Sequence, residues 1–221
     1  MSTHGSVGAR AASARATRRR IIDAAASLLL DGGYHSMSVS DLAAAAQVSS
    51  QTVYNAIGGK AKVVKLVYDT MLAGDDAPVP MQDRPEFQAM AAAPNRADFL
   101  RAYARLSGLI YSRVGPLLGV LLSDGPGPDP ALRDFVRTTE TERRTGNTNA
   151  LTALQATFGL PEGFDLAPFL DEVWCLTAPE AYHRLVRGCG WQHDAYTRWL
   201  EDVLVEAFER HSRPRTSDAV A

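Results

Sequence analysis

Three observations make this 221-residue chain an all-α protein. Apolar residues recur at i, i+3, i+4 and i+7 through most of its length, the spacing of one helix face. No stretch alternates apolar and polar residues as a half-buried strand does. Glycine and proline cluster between the periodic segments, where helices must stop. With 46% apolar residues, a chain of this length can bury a sizeable core, as one generous domain or two modest ones.

The first 16 residues are small and polar with scattered arginines, which predicts a disordered basic arm. They lack the apolar segment of a secretory signal. No apolar run elsewhere approaches the roughly 18–20 residues of a membrane span. The expected location is therefore the cytoplasm, with no membrane partner.

From Thr17 an amphipathic helix carries Ile21, Ala25, Leu28 and Leu29. Its expected stop is Asp31-Gly32-Gly33, with a glycine in the left-handed conformation. Ser38-Val39-Ser40-Asp41 reads as a capping box opening a helix from Val39 to Ala46. The run Ala43 to Ala46 lets another helix approach closely. Gln47-Val48 makes a turn, and Ser49 caps a further short helix, Ser50 to Ala56. Val53 and Ile57 face inward from it. After Gly58-Gly59, Lys60 opens a longer helix with Val63, Val64, Val67, Tyr68, Met71 and Leu72 as its stripe, ending near Gly74.

Asp75 to Asn95 holds Pro78, Pro80, Pro85 and Pro94 and reads as a boundary, with a helical turn around Glu86 to Ala92. Phe99, Tyr103, Leu106, Ile110, Leu117 and Leu121 form the next stripe, with a kink expected at Gly115-Pro116. Asp124 to Pro130 reads as a loop, and Pro130 suits the first turn of a helix reaching Phe158. Gly159 to Gly163 breaks it. A helix from Leu166 to Thr177 follows, restarted at Pro179 and stopped at Gly188-Cys189-Gly190. The last helix presents Tyr196, Trp199, Leu200, Val203, Leu204, Ala207 and Phe208. The expected division is an arm (1–16), a head (17–66), a larger helical body (67–212) and a flexible tail (213–221).

Charge separates the head from the body. Residues 1–70 carry eight basic and four acidic groups, while residues 71–221 carry 15 basic and 21 acidic. A net −2 thus hides a basic head on an acidic body, the pattern of a chain that meets a polyanion at one end. All three lysines (Lys60, Lys62, Lys65) sit just after the two short capped helices.

Two N-caps, a small-residue first helix and a polar outer face on the second together make a helix-turn-helix. That motif places its second helix in the DNA major groove. Gln51 and Asn55 each offer the donor and acceptor that adenine's N6/N7 edge requires. Ser49, Ser50, Thr52, Tyr54 and Lys60 suit phosphates, which set register without reading sequence. Arg18 and Ser38 complete the candidate interface.

Over about Arg18 to Val67 the chain resembles the DNA-binding domain of the TetR family of transcriptional regulators. The matching residues are Ile21-Ile22-Asp23-Ala24-Ala25, Gly33-Tyr34, Val39-Ser40-Asp41-Leu42-Ala43, Val48-Ser49, Thr52-Val53-Tyr54 and Lys60. Gly190-Trp191 and Tyr196 to Leu200 are also similar to that family's last helix. Ile57 departs from the pattern, since the family usually has an aromatic residue there, and so do Gly58-Gly59, where it often has Pro or Gly with Ser. The resemblance implies about nine helices, with the last two pairing with a second subunit.

An apolar stripe carrying Trp199 and Phe208, with Trp174 on the preceding helix, independently suggests a homodimer. Trp174, Tyr196, Trp199, Leu200, Val203 and Phe208 are the expected interface residues. A two-fold dimer makes the operator a pseudo-palindrome, with half-sites roughly 34–36 Å apart.

Between Val136 and Ala150 no strongly apolar residue appears. Continuing the register of Phe135, Leu151 and Leu154 turns Thr138 or Thr139, Glu142, Thr145 or Gly146, and Asn149 inward. Buried polar groups need partners. Two readings stay open: a small-molecule effector cavity beside Tyr103, Tyr111 and Trp174, or a broken or exposed helix.

No cofactor is implied. The five histidines show no metal spacing, and neither a GxSxG elbow nor a P-loop is present. Cys175 and Cys189 form no framework, which suits a reducing compartment, and they read as small buried apolar side chains. His183 reads as core as well. The expectation is a non-enzymatic, effector-released repressor. The alternative is a helical small-molecule binding protein or enzyme whose motif no longer binds DNA.

Overall fold

A computed structural model of the chain describes residues 4–75, 77, 79–123 and 129–213. Nine α-helices of seven residues or more lie among them, and no strand: α1 (His4–Ser36), α2 (Val39–Ala45), α3 (Ser50–Ala56), α4 (Lys60–Ala73), α5 (Pro85–Ala91), α6 (Arg96–Ser123), α7 (Pro130–Phe158), α8 (Leu166–Leu176) and, after a short α9, α10 (His193–Ser212). The short α9 (Pro179–Tyr182) is a single turn that continues as a π-helical turn, His183–Gly188. The all-α expectation holds. Pro78, most of the loop from Asp124 and the tail beyond Arg213 lie outside the described residues.

The chain forms two compact units, residues 1–77 with 113–137, and residues 78–112 with 138–221. In the first, α1 packs on α2, α3 and α4. Ile21, Ala25, Leu29, Leu42, Val53, Val63 and Val67 are all 0% exposed and make its core. Each of these except Ala25 contributes on the order of 1.5–3 kcal/mol by leaving water. Tyr68 meets Phe135 edge to face at 5.5 Å in the same unit.

The arm departs from expectation. Helix α1 begins at His4, not Thr17. Five alanines and two arginines fill residues 9–16, and these are among the strongest helix formers, so propensity outweighs the missing apolar face. At the other end Gly33 breaks the helix with φ 78° and ψ 177°, and Tyr34 to Ser36 add a turn beyond it.

In the second unit the inner face of α10 is Tyr196, Leu200, Leu204 and Ala207, each 0% exposed, with Phe208 at 8%. Phe208 joins Phe164 and Phe169 in an aromatic cluster. Tyr196, Leu200 and Phe208 therefore serve this chain's own core and have no surface to give a partner. The apolar stripe is wide enough to split: Trp199 and Val203 on α10, and Trp174 on α8, are only half-buried. Arg96 closes α7 by donating to the carbonyls of Phe158 (2.6 Å) and Gly159 (3.1 Å).

Cys175 and Cys189 are exposed rather than buried, as is His183. Cys175 lies off the Phe169–Val173 face of α8, and Cys189 falls in the polar stop after the π-helical turn. No helix among the described residues is long and apolar enough to cross a membrane.

Candidate nucleic-acid interface

Reciprocal capping builds the motif from its ends. The Asp41 amide donates to Ser38 Oγ at 3.1 Å, while the Ser38 amide donates to the Asp41 carboxylate at 3.2 Å. The Ser38 hydroxyl adds a third bond to that carboxylate at 2.5 Å. These bonds, the hydroxyl's first and the amide's second, hold the Asp41 carboxyl below the usual carboxylate range. Gln47 makes the turn in the left-handed region at φ 54°, with its amide and that of Val48 bonded to Ala44 and Ala43 carbonyls. A non-glycine residue there is uncommon.

Ser49 then caps α3: the Thr52 amide donates to its Oγ at 3.0 Å, and the two hydroxyls lie 2.8 Å apart. Val53, fully buried, pins the helix to the core, and Ile57 is half-buried behind it. The opposite face is left to solvent. Ser50, Gln51, Tyr54 and Asn55 are exposed, Tyr54 at 52%, and Thr52 is half-buried. Gln51 Nε2 donates to Asn55 Oδ1 at 2.8 Å, which leaves the Gln51 carbonyl and the Asn55 amide nitrogen for another partner.

Gly58 ends the motif at φ 125°, where a Cβ would stand 2.7 Å from Lys62 Cδ, so only glycine fits comfortably. Arg18 reaches from α1 to donate to the Ala56 carbonyl at 3.3 Å, a cation at the C-terminal end of α3. Lys60 is half-buried, with Nζ 4.0 Å from the centroid of the Tyr34 ring. Burial lowers its pKa and the nearby Asp129 opposes that shift. Asp129 caps α7 by accepting from the amides of Ala131 (2.8 Å) and Leu132 (3.2 Å), and it also accepts from Tyr34. The Leu132 bond leads in holding its carboxyl low. Ser38 and Ser49 are exposed but already engaged as caps, whereas Ser50, Gln51, Tyr54 and Asn55 form one open face.

The residues expected to line an effector cavity are brought together only in part. Tyr103 and Tyr111 are buried, at 7% and 6% exposure. Thr138, Glu142 and Asn149 face solvent. Thr139 and Asn147 take the inward positions. The buried stripe of α7 advances by four residues a turn: Phe135, Thr139, Arg143, Asn147, Leu151. Four residues exceed the 3.6 of a helical turn, so the stripe winds about 40° each time. A seven-residue step instead assumes a straight seam.

In the second unit, Tyr103 donates to Asn147 Oδ1, Asn147 Nδ2 to Thr177 Oγ1 at 3.1 Å, and Thr177 Oγ1 to the Val173 carbonyl at 2.7 Å. Tyr111 donates to the Thr177 carbonyl at 2.5 Å. Arg143 donates to the carbonyls of Trp174 (2.7 Å) and Thr177 (3.4 Å) and pairs with Glu140 at 2.7 Å. Its guanidinium lies 5.0 Å from the Trp174 ring centroid. Burial raises the pKa of Tyr103. Trp174 Nε1 is buried with no acceptor among the described residues. Sequence reasoning missed Arg143, Asn147 and Thr177. The four-residue spacing between Phe135 and Leu151 is the signal that finds the first two.

Residues 21–67 match the family model for bacterial regulatory proteins of the tetR family. No curated protein matches the chain. Among solved structures, one described as a TetR-family transcriptional regulator from Syntrophomonas wolfei aligns with a TM-score of 0.69 at 12% identity, over 87% of this chain and 95% of its own. A TetR-family regulator from Rhodococcus sp. gives 0.63 at 15%, over 88% and 99%. The fatty acid degradation regulator FadR from Bacillus halodurans gives 0.62 at 16%, over 86% and 94%. Residues 21–67 thus match the tetR-family model, and the chain as a whole shares the fold of these solved regulators.

Proposed function

We propose that this regulator is a homodimeric repressor that binds a pseudo-palindromic operator through α3 and leaves it when a small molecule occupies the second unit. The observation that carries the DNA reading is the open polar face of α3, held by two capped turns and anchored by Val53. Gln51 and Asn55 read base edges, while Ser50, Thr52, Tyr54 and Lys60 hold phosphates. The half-exposed Trp174, Trp199 and Val203 supply the dimer contact.

The effector reading rests on the buried polar cluster of Tyr103, Asn147, Thr177, Tyr111 and Arg143. A ligand with a hydrogen-bond acceptor for Trp174 Nε1 would meet an otherwise unanswered donor there. It releases DNA only by favouring one of two states.

Fluorescence anisotropy on the duplex beside the protein's own gene tests the DNA reading. Tight binding weakened by salt is expected, with preference over random duplex reduced about 5- to 150-fold in Gln51→Ala, the equivalent of ~1–3 kcal/mol per bidentate base contact. Equal binding of every duplex by the unaltered protein would overturn it.

A further inference from the structure

The part of α1 that the core does not use has a charge pattern and a position of its own. Residues 9–16 are exposed all round, and no acidic residue precedes Asp23. Five arginines fall between positions 10 and 20. Two of them are engaged: Arg19 pairs with Asp23 at 3.0 Å, and Arg18 donates to the Ala56 carbonyl at 3.3 Å. Arg10 and Arg15 have no carboxylate or carbonyl partner among the described residues.

The Arg18 contact fixes where this extension starts, beside the C-terminal end of α3. At ~1.5 Å per residue, Arg15 and Arg10 lie about 4.5 Å and about 12 Å farther along the axis. At ~100° per residue, Arg10, Arg18 and Arg15 span an arc of about 140° with Arg18 near its middle. Arg10 and Arg15 therefore share the side of α1 that turns toward α3, while Arg20 lies off that arc. Only Ala11 and Ala14 lie between them on that arc, so no bulky side chain holds a rod-like partner away.

We propose that this extension is a second DNA-contacting element, in which Arg10 and Arg15 bind phosphates flanking the bases read by α3, without regard to sequence. The proposal rests on the DNA-binding reading above and adds to it a source of affinity separate from base recognition. Duplex DNA carries one charge per ~1.7 Å of axis, so a helix reaching ~12 Å past Arg18 finds phosphates at either position. The exposed helix gains no support from tertiary packing and is marginal alone. Phosphate contact supplies that support.

The test compares the full chain with its Arg10→Ala/Arg15→Ala and Arg10→Lys/Arg15→Lys forms. Each is titrated at several salt concentrations on a duplex that the protein selects and on a random duplex. Loss of two phosphate contacts lowers the slope of log affinity against log salt by about 1.8, or roughly tenfold less sensitivity between 50 and 200 mM. The alanine form should weaken on both duplexes by a similar factor, keeping its preference, and the lysine form should restore the slope. An unchanged slope and affinity in the alanine form would overturn the proposal, as would loss of preference. Failure of the unaltered protein to prefer any sequence would instead overturn the regulator reading, while the slope on random duplex still scores Arg10 and Arg15.

Discussion

Gln51 and Asn55 hold each other at 2.8 Å across one turn of α3, so they should act as a unit. Groups in one hydrogen-bond network are not additive. Gln51→Ala with Asn55→Ala is therefore expected to cost less discrimination than the two single losses summed, by at least ~0.5 kcal/mol, in a double-mutant cycle of operator against random duplex. Ser38 and Ser49 test the scaffold instead: either change to Ala should cost about 1 kcal/mol in denaturant melts. The Asp41 carboxyl has a lowered pKa in the fold, so the native state binds its proton less readily than the unfolded chain. Its contribution is complete above the unfolded value of about 3.9 and is lost as pH falls through the folded value. Thermal melts should show a smaller loss between pH 5 and pH 3 in Asp41→Asn than in the parent. These residues were legible in the sequence because caps and short polar helices are local chemistry. The Gln51–Asn55 bond was not, because spacing alone permits it without requiring it.

Helices show where local reading stops. The bounds of α3, α4 and α7 follow from Ser49, Gly59, Gly74, Pro130 and Gly159, all punctuation that any chain obeys. The face of α7 does not follow. Its inward stripe steps by four and so winds round the helix, with Phe135 in one unit and Asn147 in the other. Asn147→Leu should cost about 1–3 kcal/mol by stranding Tyr103 and Thr177. Asn149→Ala, on the exposed side, should stay within ~0.5 kcal/mol. A reversed order in urea unfolding would restore the seven-residue register. The extension of α1 was misread for the opposite reason. Polarity suggests disorder, while alanine propensity supports the helix through residues 9–16.

For the whole molecule, the basic head and acidic body give the charge logic of a protein that meets DNA at one end. The fold class and the helix-turn-helix were readable. Of the residues expected at a dimer surface, Tyr196, Leu200 and Phe208 are core, while Trp174, Trp199 and Val203 keep exposed area. One apolar stripe cannot say which edge serves the chain and which a partner. The central claim is sequence-specific binding as a two-fold dimer, and selection from a random duplex pool by the purified full chain addresses it most directly. Such a dimer should enrich an inverted repeat whose half-sites lie about 34–36 Å apart, with the enrichment lost in Gln51→Ala/Asn55→Ala. A pool that returns unenriched, or enriched without two-fold symmetry, would contradict it.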